Sequence, residues 1–293
     1  MTAKGSINMK KAVSVLLISV IMLTLLPLTA FAREVEGTTD TSFPDVPVTV
    51  RAPEEATTEK SSPDGRWVHK KHKYFYYRGK KRLKGRKKIN GKYYFFDKNG
   101  VQRTGWRLIK GNYYFFRLKN GAGGYMVKNK TVNDVKLRKN GKAVIGKNEA
   151  HLKVLIGASE VVDKATKPDM KKSKKLKKCF EYTVENYKYR GDPKFYYSSN
   201  WSVVYANRMM TEFHGSCYEY GAWFAYIANA CGIKECYAVS SGGHGWSEIN
   251  GKICDPSWEQ IDKRHNYFMM DKELSGKGGI PNYKRAERYK TKI

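Results

Sequence analysis

The clearest periodic pattern of apolar residues lies between positions 217 and 231. Large apolar side chains recur there at steps of three and four residues: Tyr220, Trp223, Phe224, Ile227 and Cys231. This spacing predicts one apolar face of an α-helix. Ser216 stands where a helix N-cap would stand, and Gly232 follows the last apolar position, where glycine commonly ends a helix. The pattern predicts a helix that begins at Cys217.

A hairpin is predicted further along, because Asn250-Gly251 is typical of a two-residue turn and has strand-forming residues on both sides. In that register the positions that face each other sum to 501, so Asp255 lies opposite Trp246. Trp246 and His244 are two residues apart and share a face of the strand. His244 and Asp255 are therefore predicted to be diagonal neighbours across the hairpin.

A basic run from Lys171 to Lys178 predicts another amphipathic helix, the first of the same domain. Its lysines would form the exposed face, with Leu176, Phe180 and Val184 turned inward. The polar and basic tail from Lys263 to Ile293 suggests no function.

Three residues in this part of the chain have the chemistry of a cysteine nucleophile site. A thiol needs a base to ionise it, and an imidazole base needs a third group to hold its tautomer and orientation. Cys217, His244 and Asp255 offer one candidate for each role. A thiol in the first turn of a helix also faces unpaired N–H groups and the positive end of the helix dipole, which favour the thiolate. We therefore predict a cysteine enzyme.

Two alternatives concern the same residues. His214, three residues before Cys217, is a competing imidazole. A metal site formed by Cys217, Cys231, Cys236 and Cys254 is the other alternative. It is disfavoured because the chain has no C-x-x-C pair, the usual spacing of structural zinc ligands. We expect no metal and no cofactor. Pairing among the four other cysteines stays open: Cys179, Cys231, Cys236 and Cys254.

Over roughly residues 175–260 the chain resembles the transglutaminase-like superfamily. The resemblance rests on motifs in a fixed order: Gly215-Ser216-Cys217, a predicted strand Cys236–Ser240, His244-Gly245-Trp246 and Asp255-Pro256-Ser257-Trp258. It implies an α+β, papain-like core in which a helix carrying the cysteine packs on an antiparallel sheet carrying the histidine and aspartate.

The resemblance also implies roles and a reaction class. Cys217 would be the nucleophile, His244 the base and then the acid, and Asp255 the orienting group. Members catalyse acyl transfer at amides, by hydrolysis, deamidation or transamidation. An upstream aromatic often helps to stabilise the oxyanion, and the candidates here stay open: Tyr189, Tyr197 and Trp201. The backbone N–H of Cys217 is a further donor.

Aromatic residues recur in blocks of four between Arg66 and Ala150. The blocks are Tyr74-Phe75-Tyr76-Tyr77, Tyr93-Tyr94-Phe95-Phe96 and Tyr113-Tyr114-Phe115-Phe116, and Asn-Gly pairs at 90, 99, 120 and 140 punctuate them. Each unit is therefore predicted to be a short aromatic strand pair that is stable only by stacking on its neighbours.

The unit from Asn90 to Trp106 resembles the cell-wall-binding repeats of choline-binding and glucan-binding surface proteins of Gram-positive bacteria. The resemblance covers about 67–145 and implies an all-β solenoid whose aromatics hold choline or sugar. It marks the candidate ligand-binding residues: Trp67, Tyr93, Tyr94, Trp106, Tyr113 and Tyr114. Arg86 stands where a tryptophan is expected. A resident arginine repels or replaces a bound cation, which argues against choline.

The repeat segment is also strongly basic, with 26 Lys and Arg residues against Asp97, Asp134 and Glu149. Such a surface concentrates polyanions whatever their chemistry. Teichoic acid or another wall polymer, with polysaccharide stacking on exposed aromatics, is the expected partner of an exported chain. Nucleic acid is the alternative, and export argues against it.

The first 32 residues have the pattern of a signal peptide, because lysines precede an apolar run from Ala12 to Leu28 and Ala30-Phe31-Ala32 is an A-x-A cleavage signature. An uncleaved anchor is the alternative. Residues 33–65 are rich in Thr, Pro and acidic side chains and are predicted to be a linker. No later stretch is long and apolar enough to span a membrane. We expect a secreted protein at the wall or surface of a Gram-positive-type bacterium.

Together these features predict four segments: a signal peptide over 1–32, a linker over 33–65, wall-binding repeats over 66–150 and a catalytic domain over 151–293. The predicted function is that of a cysteine acyl-transfer enzyme acting on protein or peptide amides. Hydrolysis is favoured over transamidation because water needs no second binding site. The alternative is a non-catalytic surface adhesin that binds anionic wall polymers or carbohydrate.

Overall fold

The computed structural model describes residues 65–191, 194–284 and 288–293. The predicted signal peptide and all of the predicted linker except Gly65 lie outside the described residues. In the described part of the chain, no helix combines the length and the apolar character needed to cross a membrane.

The repeat segment is built from short antiparallel strands. These are β1 Arg66–Lys70, β2 Lys73–Arg78, β3 Lys81–Arg82, β4 Gly85–Ile89, β5 Lys92–Phe96, β6 Gln102–Arg103, β7 Gly105–Ile109 and β8 Asn112–Phe116. Strands β1–β2, β4–β5 and β7–β8 pair as hairpins, and β3 and β6 add a third strand to the first two. The predicted aromatic strand pairs are therefore confirmed.

The three hairpin turns share one backbone geometry with different residues. Asn90 and Gly91 both have positive φ, 47° and 78°, as a type I′ turn requires. Lys110-Gly111 and Lys71-His72 also have positive φ at both positions. The Asn-Gly turn predicted for every unit is thus found at the central hairpin only, and lysine begins the other two.

Strand β5 buries alternate side chains, Tyr94 and Phe96, whereas β2, β7 and β8 also bury adjacent residues. Trp67, Tyr76, Tyr94 and Phe96 pack together with Ile89 in a small core. Trp67 meets the rings of Tyr76 and Tyr94 edge-on, at centroid distances of 5.2 Å and 5.1 Å. The hairpins therefore stabilise one another through aromatic contacts between units.

The rest of the chain is mixed α/β. After β9 Thr131–Val132 and β10 Val135–Lys136, the elements are α1 Glu149–Ala165, α2 Lys172–Asn186, β11 Lys188–Tyr189, α3 Trp201–Glu212, β12 His214–Gly215, α4 Cys217–Ala230, β13 Cys236–Ser240, β14 Gly245–Ile249, β15 Lys252–Cys254, α5 Pro256–Ile261 and β16 Tyr289–Lys292. A four-stranded antiparallel sheet has the order β15-β14-β13-β16. The tail therefore supplies an edge strand.

The hairpin β14–β15 has the predicted register. Ser247 faces Cys254 and Ile249 faces Lys252, so the paired positions sum to 501. Asn250 and Gly251 form its turn with positive φ, 47° and 79°. The register prediction is confirmed, and it brings the end of β15 beside the start of β14.

Helix α4 begins at Cys217 as predicted, but it is not apolar on one face alone. Every residue from Cys217 to Ala228 is buried, because β13 and β14 pack on one side and α1 and α3 on the other. Gly221 allows the close approach of the sheet, since a Cβ there would lie 2.6–2.7 Å from backbone atoms of Trp246. This contact brings the start of α4 against β14.

The basic run lies on α2, with Leu176 and Phe180 buried and Val184 partly buried as predicted. It is the second helix of its region and not the first, because α1 precedes it. The apolar positions of α1 pack in the same core, so the helix layer starts earlier than the basic run indicated.

The third hairpin packs directly on α1. The N–H of Trp106 donates to Ser159 Oγ at 3.1 Å, and its indole N–H donates to Asn133 at 2.9 Å. Arg107 forms a 2.9 Å ion pair with Asp163 of α1. The hydrophobic core that contains Trp106 continues into the helices. The third hairpin and the helical region thus share one hydrophobic core across the predicted boundary at 150/151.

Candidate functional site

The first turn of α4 is held by a reciprocal cap. The backbone N–H and the hydroxyl of Ser216 both donate to the Glu219 carboxylate, at 3.0 Å and 2.5 Å, and the Ser216 side chain accepts from the backbone of Glu219. Arg208 pairs with the other oxygen of Glu219 at 3.0 Å. This capping box fixes the helix start, and so it fixes the position of the Cys217 thiol, which is buried.

The structure brings Cys217, His244 and Asp255 together. His244 Nε2 lies 2.5 Å from Asp255 Oδ2, and the Cys217 side chain is near enough to the imidazole to raise its pKa. Because Nε2 faces the carboxylate, Nδ1 is the nitrogen available to the thiol. This is the order thiol, base and orienting group that nucleophilic catalysis by cysteine requires.

The Asp255 carboxylate is fully buried and heavily hydrogen-bonded. It caps α5, where Oδ1 accepts from the Ser257 N–H at 3.1 Å, the Ser257 hydroxyl at 2.6 Å and the Trp258 N–H at 3.1 Å. Burial would raise its pKa, but the charge and hydrogen bond of His244 and the donors at Ser257 and Trp258 outweigh burial and lower it. The carboxylate is therefore held in its charged form.

His244 is correspondingly held as a cation. Burial of the ring would lower its pKa, but the charge and hydrogen bond of Asp255 and the contact with Cys217 raise it to about 10. The imidazolium stays protonated at neutral pH. A protonated imidazole beside a cysteine is the setting in which the thiolate is the reactive form.

Tyr283 completes the site, and the sequence analysis missed it. Its hydroxyl donates to Asp255 Oδ2 at 2.9 Å, and its ring packs on Trp246 at a centroid distance of 5.1 Å. The Asp255 charge and the burial of the hydroxyl raise the pKa of Tyr283 well above its ordinary value. A lone tyrosine in a polar tail carries no local signal, so only the fold reveals this role.

The aromatic candidates for the oxyanion site differ in position. Tyr189 lies in β11, paired with Gly215 just before the nucleophile, and burial and the nearby Cys217 raise its pKa. Tyr197 is exposed and stacks on Tyr289 at 4.4 Å, whereas Trp201 is buried in the core. Of the three, Tyr189 is the one whose strand pairs with β12, the strand that directly precedes Cys217.

A cleft of about 480 Å³ opens beside the start of α4. Basic side chains line one part of it, Arg190, Lys194 and Arg208, and Ser216 lies at its margin. His214, the competing imidazole, also lines the cleft and lies 3.9 Å from Glu212. His244 is therefore the imidazole that contacts Asp255, and His214 lies at the cleft wall.

All five cysteines are free and buried. Cys231 Sγ lies 3.6 Å from Cys179 Sγ, whereas Cys236 Sγ donates to the Ile233 carbonyl at 3.5 Å. The Cys231 thiol is therefore in contact with the Cys179 thiol. Within residues 65–191, 194–284 and 288–293, no group of three His, Cys, Asp or Glu side chains is arranged to hold a metal.

Most of the predicted ligand-binding aromatics lie in the interior. The buried ones are Trp67, Tyr94, Trp106, Tyr113 and Tyr114. Tyr93 is partly exposed. The partly exposed Tyr and Phe residues of the repeat segment are Tyr74, Tyr77, Tyr93, Phe95, Phe115 and Tyr125.

Comparison with known families identifies the repeats. Residues 83–130 match the choline-binding repeat. The repeat segment is thus similar to choline-binding repeats over these residues. The matched segment covers the second and third hairpins, which are the two units with the most regular sequence pattern. No curated protein matches the chain.

Several solved structures share similarity with part of the chain. Choline-binding protein F from Streptococcus pneumoniae is 25% identical over 27% of this chain and 25% of that protein, with a TM-score of 0.24. The choline-binding domain of Spr1274 from the same organism is 20% identical over 29% of this chain and 99% of that domain, also at 0.24. CbpJ from S. pneumoniae TIGR4 is 26% identical over 28% of this chain and 29% of that chain, with a TM-score of 0.24. The match spans about a quarter of choline-binding protein F.

Proposed function

We propose that this chain is an exported cysteine acyl-transfer enzyme that its repeats hold to a bacterial wall polymer. The observation that carries the enzymatic part is the cluster of Cys217 at the start of α4 with the hydrogen-bonded pair His244 and Asp255. The match of residues 83–130 to the choline-binding repeat supports the wall-binding part.

The site supports a two-step reaction. The Cys217 thiolate attacks an amide carbonyl carbon, and the backbone N–H groups at the start of α4 stabilise the oxyanion. His244 then gives its proton to the leaving amine as the C–N bond breaks, which leaves a thioester on Cys217. Water, deprotonated by the now neutral His244, attacks the thioester and releases the carboxylic acid and the thiol.

The buried Asp255 serves both steps by holding the imidazole. Its Oδ2 holds Nε2, which leaves Nδ1 available to exchange a proton with the thiol. Its charge stabilises the imidazolium that must persist until the amine leaves. A primary amine in place of water would give transamidation with the same residues. We favour hydrolysis, because water needs no second binding site.

The proposed reaction is tested by following products from wall peptides and unfolded protein substrates. New amino termini indicate hydrolysis, and incorporation of a labelled primary amine indicates transamidation. We expect either product from the wild-type chain and none from Cys217→Ala. Equal product from both proteins would show that Cys217 is not the nucleophile.

A non-catalytic adhesin is the second candidate. The family match falls on the repeat segment and concerns binding, so it favours this function over catalysis. In an adhesin the helical region would only display a surface, and Cys217 would be an ordinary buried thiol. Wall binding that is unchanged in Cys217→Ala, together with the absence of any product and of thiol activation, would support the adhesin.

A further inference from the structure

Several tyrosine rings of the repeats, both buried and partly exposed, are in contact with cations of the chain itself. The Arg86 guanidinium carbon lies 4.8 Å from the ring centroid of Tyr114 and 5.3 Å from that of Tyr93. Lys128 Nζ lies 5.0 Å from the Tyr93 centroid. Arg86 therefore bridges aromatic rings of two successive hairpins, and Tyr93 contacts two cations.

The same arrangement recurs at Tyr125. Lys92 Nζ and the Arg117 guanidinium carbon lie 4.5 Å and 4.7 Å from its ring centroid, and Arg117 also donates to its hydroxyl. In the first unit the Arg82 guanidinium carbon lies 4.3 Å from the Phe75 centroid. Each of the three units thus has a lysine or arginine seated on its aromatic side chains.

These contacts oppose the binding of a quaternary ammonium ion. Such an ion is held by several free aromatic faces within about 6 Å. Tyr93, Tyr114 and Tyr125 already have a positive group within that distance. A second cation would have to displace the first or accept its repulsion.

The same contacts favour the binding of an anionic group. Arg86 and Lys128 are exposed, and within the described residues neither forms an ion pair with a carboxylate. Asp97, one of three acidic residues in the segment, already pairs with Arg103 at 2.8 Å. A guanidinium stacked on a ring keeps its N–H edges free and oriented, which suits bidentate binding of a phosphate oxygen pair.

We propose that the repeats bind the phosphodiester groups of an anionic wall polymer through these lysine and arginine side chains, which lie over aromatic rings. We propose that they do not bind choline. This inference rests on the proposed wall-binding function and names the chemical group that is recognised. It assigns Arg86 and Lys128 as one phosphate site, and Lys92 with Arg117 as a second.

Equilibrium binding of the full chain to two surfaces tests the inference: choline-free poly(glycerol phosphate) and a choline-substituted matrix. We expect binding to the first, competed by inorganic polyphosphate but not by choline at matched ionic strength. Arg86→Ala combined with Lys128→Ala should weaken binding by about tenfold, the loss of one charge-assisted contact pair. The control is Lys98→Ala, which removes an exposed charge that is not on a ring, and it should change binding less than twofold.

Three results would overturn the inference. If the chain stays on the choline matrix and free choline releases it, the repeats bind the wall through choline, and the phosphate site is rejected. If the Lys98 variant and the Arg86/Lys128 variant lose equal binding affinity, the polymer is held by the overall positive charge and not by specific phosphate sites. Binding to neither surface would reject the proposed wall-binding function itself. A gain of choline binding in Arg86→Trp would further support the view that the resident arginine fills the aromatic site.

Discussion

The Tyr283 hydroxyl donates to the same Asp255 oxygen that contacts His244. One carboxylate oxygen thus joins the base of the proposed triad to a tyrosine from the C-terminal tail. The tail continues into β16, which pairs with β13. The segment without a local motif therefore closes both the sheet and the site.

Tyr283→Phe should lower the free energy of unfolding by about 1.5–3 kcal/mol at neutral pH, the usual value of a hydrogen bond to a charged group. The folded-state pKa of Asp255 is lowered, so the stability that it contributes is present above its ordinary pKa and is lost as pH falls. The difference between wild type and variant should shrink below about pH 4. Urea unfolding at several pH values measures it. Tyr289→Phe is the control, and equal effects of both changes would contradict the account.

The pH dependence of stability tests the ion pair of His244 and Asp255. Because the folded-state pKa of His244 is raised to about 10, the protonated ring contributes its full stability below its ordinary pKa of about 6.5. That contribution is lost as pH rises toward 10. The wild type should therefore lose more stability than Asp255→Asn between pH 6.5 and pH 10. Parallel pH curves for the two proteins would show that no such pair exists.

Gly221→Ala tests the contact that brings α4 against β14. A Cβ there would meet backbone atoms of Trp246 at 2.6–2.7 Å, and backbone yields at high cost. We expect a loss of about 1–3 kcal/mol of stability and slower alkylation of Cys217, because His244 would shift with β14. Gly191→Ala is the matched control, since its nearest neighbour would lie 3.9 Å away. If Gly221→Ala is destabilised but Cys217 reacts at its normal rate, the contact between Gly221 and Trp246 does not position the His244 side chain.

The ion pair of Arg107 and Asp163 tests whether the repeats and helices form one cooperative unit. Asp163→Ala leaves the buried Arg107 without its 2.9 Å partner on α1, which should cost about 3–5 kcal/mol. Near-ultraviolet and far-ultraviolet circular dichroism should report one shared transition at a lower midpoint. Glu149→Ala, which breaks an exposed pair with Lys153, should cost less than about 1 kcal/mol. Separate transitions for the two regions in the wild type would contradict a shared core.

Local patterns predicted the elements around Cys217. Asn250-Gly251 defines a turn with fixed geometry, so the register that brings Asp255 to His244 followed from the sequence. Ser216 and the apolar spacing likewise located the start of α4. These predictions succeeded because each depends on residues that are close together in the chain.

Long-range packing was not predictable in the same way. The periodicity of α4 marks its large side chains, but small residues such as Gly221 and Ala225 are also buried because the sheet approaches them closely. Tyr283 acts on a residue 28 positions away, and Trp106 bonds Ser159 across 53. Nothing in the local sequence encodes these partners.

The pH–rate profile of Cys217 alkylation shows directly whether His244 and Asp255 activate the Cys217 thiol. Iodoacetamide labelling of the full chain, read by mass spectrometry, is compared among wild type, His244→Ala and Asp255→Asn, with Cys217→Ala to assign the site. We predict rapid single labelling at Cys217 near neutral pH, at a rate that falls as pH drops, and slow labelling in both site variants. Slow labelling spread over several cysteines, unchanged by His244→Ala, would contradict an activated thiol.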